Sequence, residues 1–139
     1  MNIALRATCL MLFALSGCLA HRECPSSTKP RGAVTHVVLC WLKPPGDEAA
    51  RQKIIDTSRT FATIPGVVSV TAGRALPSTR PVVDSSFDVA IVIRFTDEAA
   101  LRAYDSHPTH KKAVDGVLKT LAGKSLIYDF VDDAIVSAR

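Results

Sequence analysis

Tyr104, His107 and His110 stand together in the stretch YDSHPTH, and Asp129 follows in the short apolar run LIYDF near the C-terminus. A phenol, an imidazole and a carboxylate are the groups from which a proton-transfer site is built. In such a set His110 is the general base, Asp129 fixes its tautomer, and the Tyr104 hydroxyl stabilises a developing oxyanion. The plain alternative is that a buried Tyr and His hydrogen-bond to backbone or to each other. His107 precedes Pro108, where it reads as a helix cap. His36, in an apolar run, reads as a strand residue facing a carbonyl. No Cys/His spacing matches a zinc site, so no metal and no cofactor are expected.

The elements that must position these residues follow from pattern. The run VTHVVLCWLK (34–43) is β-branched and aromatic and ends at PPGDE, a strand and a turn. Residues 47–63 have helical spacing, with acidic Asp47 and Glu48 at the start and Ala50, Ile54, Ser58 and Phe61 along one face. IPGV breaks this helix, and VVSVTAGRAL (67–76) forms the second strand. FDVAIVIRF (87–95) is apolar on both sides apart from Asp88 and Arg94, which predicts a central third strand. Thr96 is the expected cap of a short helix with Asp97 and Glu98 in its first turn. A second helical piece starts at Pro108 and ends at Gly123, with His110, Val114, Val117 and Leu121 on its inward stripe; the strand KSLIYDFV closes the order.

That order, β-α-β-β-α-β, is the α+β ferredoxin-like arrangement: an antiparallel four-stranded sheet with helices on one face. The opposite face also carries bulky apolar side chains, which predicts a homodimer whose two sheets close into a barrel. Tyr104 and His110 then point between the helices and the sheet, towards the strand that carries Asp129.

Before the domain, Arg6 and the apolar run ATCLMLFAL read as a signal peptide over 1–17, too short for the ~20 residues that span a bilayer. LSGC resembles the lipobox of bacterial lipoproteins, which implies lipidation of Cys18 and a cell-envelope location, facing the periplasm or exterior. Residues 18–33 are polar and carry two prolines, as a tether does; the domain is expected over 34–133, with a tail at 134–139. Cys24 and Cys40 remain, either bridged outside the cytoplasm or with Cys40 buried and inert. The net charge of +4 comes from scattered Lys and Arg, with Lys111-Lys112 the longest basic run, and excludes a nucleic-acid stripe.

HVVLCWLK, IPGV, FDVAIVIRF, YDSHPTHKKAV and LIYDF, in this order, resemble the stress-responsive alpha-beta barrel (Dabb) family over about residues 35–131. The resemblance implies a dimeric α+β barrel. It also implies site residues, because a plant polyketide cyclase of this family performs a cofactor-free aldol cyclisation with a tyrosine and a histidine matching Tyr104 and His110. Its supporting carboxylate matches Asp129, and a pocket histidine matches His36. His36 and His107 are accordingly assigned as ligand contacts. Val89 stands where that cyclase has a further histidine, so its reaction does not carry over. Three functions stay open: a small-molecule-binding barrel, a cofactor-independent cyclase, lyase or monooxygenase-like enzyme, and an anchored dimer that displays a surface.

Overall fold

The computed structural model describes residues 32–133. The expected signal peptide, Cys18, Cys24, the tether up to residue 31 and the tail at 134–139 lie outside the described residues. The domain opens with β1 (Val34–Leu42), in which buried and half-buried side chains alternate from His36 onward, as they do on a strand with one face against helices. Helix α1 (Glu48–Arg59) starts where the Asp47 carboxylate accepts from the Ala50 N–H at 2.9 Å. Its inward stripe of Ala50, Ile54 and Ser58 is buried and is continued by Phe61 on the 3-10 turn Thr60–Thr63.

Gly66 then turns the chain with φ +85°, and its carbonyl accepts from the Thr96 N–H at 3.0 Å. β2 (Val67–Gly73) pairs with β3 (Val89–Phe95), the last pair being Gly73 with Ala90. Both strands are shorter than the pattern predicts. Ala75 and Leu76 have no strand opposite them, because β3 begins only at Val89. Asp88, which interrupts the apolar run, serves the turn after β1 instead. Its carboxylate accepts from the Leu42 N–H at 2.8 Å and the Gly46 N–H at 3.0 Å and so ties that turn down.

Helix α2 (Glu98–Ser106) is capped by Asp97, not by Thr96; the Asp97 carboxylate accepts from the Ala100 N–H at 2.8 Å. Helix α3 (Pro108–Ala113) has proline at its first position, as expected. The chain then widens into a π-helical turn, Val114–Leu118, and a last α-turn, α4 (Lys119–Leu121). β4 (Ala122–Val131) begins one residue before Gly123, the expected helix stop.

The four strands form one antiparallel sheet in the order β2-β3-β1-β4, the ferredoxin-like α+β arrangement. Val34, Val38, Cys40 and Leu42 of β1 and Val89, Ile91, Ile93 and Phe95 of β3 meet Ile54, Phe61, Ile64 and Tyr104 in the core. Cys40 is fully buried and free, and burial pushes its thiol above the ordinary value, against a smaller opposing contribution from Ser125. On the other face Leu126, Tyr128 and Phe130 of β4 are exposed beside Val37 and Leu39, and Lys124 sits 4.4 Å over the Trp41 ring. Among the described residues no helix is long and apolar enough to cross a membrane.

Candidate functional site

Register decides which side chains can meet. β1 and β4 pair so that His36 lies opposite Asp129, Val38 opposite Ile127 and Cys40 opposite Ser125. Directly opposed residues of an antiparallel pair project to the same face, so these six turn towards the helices. On β3, Ile93 stands opposite His36 and Ile91 opposite Val38, extending the same surface.

Above this patch the helices leave a cavity of about 470 Å³, within the range of small-molecule sites. Its walls are mainly apolar, from Val38, Phe61, Ile91, Ile93, Val114, Leu118 and Ile127, and three polar rings enter it: His36, Tyr104 and His110. It opens to solvent where exposed Asp105, Lys119 and Ser125 flank it.

Tyr104 is the deepest of the polar groups, 2% exposed. Phe61 meets it edge-on at 5.5 Å and Phe95 tilts against it at 5.0 Å. Burial, and secondarily the negative charge of Asp105, push its phenol well above the ordinary value of about 10. The ring therefore stays a neutral hydrogen-bond donor at all physiological pH values. His110 lies over Tyr104 with centroids 4.2 Å apart, and Phe61 meets both rings, 5.8 Å from His110.

The expectation that Asp129 holds His110 is corrected by the structure. Asp129 Oδ1 lies 2.6 Å from Nδ1 of His36, its partner across the β1–β4 ladder. His110 instead donates from Nδ1 to the main-chain carbonyl of Asp105 at 3.2 Å, one helix away. The reason is geometric: Asp129 is fixed opposite position 36 by strand pairing, whereas His110 rides on α3. Each imidazole is thus held through Nδ1; in a neutral ring with the proton on Nδ1, Nε2 is the acceptor.

His107 is a helix cap, as its place before Pro108 predicts. It is both the C-cap of α2 and the N-cap of α3, and its Nδ1 accepts from the Thr109 N–H at 3.2 Å. That capping role occupies the ring, and His107 does not line the cavity. The structure brings together His36, Tyr104, His110 and Asp129 from the predicted set. It adds the apolar wall, of which Leu118 and Ile127 had no distinguishing signal in sequence. Among the described residues no group of three or more His, Cys, Asp or Glu is placed to hold a metal ion.

The chain resembles a Dabb-family protein with a ferredoxin-like fold from Mesorhizobium loti at 24% identity and a TM-score of 0.60, covering 73% of this chain and 97% of that one. A dimeric ferredoxin-like protein from Thermobifida fusca matches at 20% identity and a TM-score of 0.59, over 71% and 90% of the two chains. The hydroxynitrile lyase of Passiflora edulis matches at 16% identity and a TM-score of 0.65, over 78% and 100%. No curated protein sequence matches the chain. The family model of the stress responsive A/B barrel domain matches residues 34–132, all four strands and the helices over them included, and the chain belongs to that family.

Proposed function

We propose that this domain binds a small molecule with an apolar body and one polar end in the cavity between helices and sheet. The observation that carries this reading is the convergence of the neutral Tyr104 phenol and the imidazoles of His36 and His110 on a single apolar-walled space of about 470 Å³. A hydroxyl is the simplest matching end, because it accepts from the phenol and donates to an imidazole. The test is a titration with 1-hexanol, followed by NMR. Shifts confined to the cavity residues and weakened severalfold in Tyr104→Phe are expected. A uniform response, or none, would sink the proposal.

A second reading is supported by the His36–Asp129 contact at 2.6 Å. An imidazole whose tautomer is fixed by a carboxylate, beside a neutral phenol, is equipped to take a proton from a carbon acid while Tyr104 donates to the adjacent carbonyl. The same domain then acts as a cofactor-independent lyase or cyclase, with His36 as the base next to Asp129 in place of His110. The Passiflora protein of similar fold is a hydroxynitrile lyase, in keeping with a lyase reading. Deuterium exchange at the α-carbon of simple ketones, lost in His36→Gln, is the measurement that separates catalysis from binding.

The chain outside the cavity suggests where this happens. The lipobox-like LSGC supports a lipid anchor at Cys18 and a place in the bacterial envelope, and the apolar outer sheet face supports a dimer. The Thermobifida relative is dimeric, in keeping with that arrangement. Loss of palmitate labelling in Cys18→Ser is the expected sign of the anchor; undiminished labelling rules it out.

A further inference from the structure

The cavity has one wall built differently from the rest. Between α3 and α4 the Lys119 N–H bonds to the Val114 carbonyl, five residues back, so residues 114–118 form a π turn with one residue more than an α-turn would hold. The extra residue broadens the inward face. Val114 and Leu118 line the cavity while Val117 and Leu121 pack on the core, so two adjacent stripes both turn inward.

This wall is fixed at its ends and slack between them. At the near end Ala113 is buried and His107 caps the helix. At the far end Lys43 donates from its backbone N–H to the Leu121 carbonyl at 2.9 Å and from Nζ to the Lys119 carbonyl at 3.0 Å. No residue of the π turn is buried, and Gly116 at its centre has open space where a Cβ would stand. Along the β1–β4 pair the lining runs from His36, opposite Asp129, through Val38 and Ile127 to Ser125 and Ala122, and Ala122 follows α4 directly after the π turn that carries Leu118.

We propose that the π turn is the size selector of the cavity, with Leu118 and Val114 setting how long an apolar ligand can be. This rests on the binding reading above, in which the polar end of the ligand sits at His36 and Tyr104. The tail then runs along Val38 and Ile127 until it meets Leu118. Each methylene that fits should tighten binding about fourfold, which is the ~0.8 kcal/mol of one buried CH₂. The first one that does not fit has to push the wall aside, and the gain stops.

The experiment uses the full chain in nanodiscs with labelled Leu and Val methyls, titrated with primary alcohols from 1-butanol to 1-nonanol at measured free concentrations. In the wild type, affinity should rise with chain length and then level off. Leu118→Ala and Val114→Ala should move that limit to longer alcohols, and Leu118→Phe should move it to shorter ones. Val117→Ala, which alters the stripe packed on the core, should leave it in place. Alcohols that bind with the same limit in all these proteins overturn the size selector and leave the binding reading standing. Failure of every alcohol to bind overturns both. A Leu118→Ala protein that does not fold leaves the Leu118→Phe shift to decide.

Discussion

At His36 the group facing Nδ1 is a carboxylate, and at His110 it is a main-chain carbonyl. Both arrangements select the Nδ1–H tautomer, but only the first depends on a charge that a single substitution can remove. Asp129→Asn should therefore shift the imidazole ¹⁵N resonances of His36 and leave those of His110 unchanged. Movement at His110 alone would contradict the pairing seen here. Tyr104 offers a separate handle through pH. Its folded-state phenol titrates above the unfolded value of about 10, so beyond that pH the unfolded chain gives up a proton that the folded one keeps. Stability is lost as pH rises through this range, by up to ~1.4 kcal/mol per pH unit for one such group. Tyr104→Phe removes the difference, so alkaline urea melts of the two proteins should diverge above pH 10, with the Phe variant losing less. Parallel curves would mean that the phenol is not held neutral by burial.

Among the elements, the turn at Gly66 is the least tolerant. Its φ of +85° already disfavours any side chain, and a Cβ there would stand 2.5 Å from the Cβ of Ala100 on α2. Left-handed strain of about 1–2 kcal/mol and a clash worth about 1–3 kcal/mol add up, so Gly66→Ala should cost roughly 2–5 kcal/mol in chemical denaturation. A variant as stable as the wild type would show that α2 is free to move off the turn. IPGV announced this break in sequence because Pro and Gly act locally, and the α1 stripe was equally legible because its period is local. The caps and ends were less so. Thr96 and Asp97 are adjacent and both cap well, and only the geometry of the chain entering α2 decides between them. The π turn left no mark at all, since Val114, Val117 and Leu121 satisfy the α-helical period as written. The site divided in the same way. That Tyr104 and His110 face inward followed from helical spacing, but the partner of Asp129 depends on strand register, a long-range property that composition does not reveal.

For the molecule as a whole, the outer sheet face is the largest unbalanced feature. Tyr128 is 54% and Phe130 53% exposed in the single chain, beside Leu126, Val37 and Leu39. If two copies close over this face, Tyr128→Lys places like charges near the symmetry axis and should halve the mass seen by light scattering, while leaving the thermal transition of the monomer intact. An unchanged dimer would move the interface elsewhere; a wild-type monomer would remove it. Dimerisation through the outer face would leave the cavity, on the opposite face, facing away from the partner. The pairing of β1 with β4 also has a consequence in time. His36 and Asp129 lie 93 positions apart, so the histidine leaves the ribosome well before its carboxylate. Until β4 adds to the edge of β1, the chain has one imidazole without its anchor and a cavity missing part of its floor. Translation must pass β4 before the cavity is whole, which protects a chain still lacking that strand from taking up its ligand too soon.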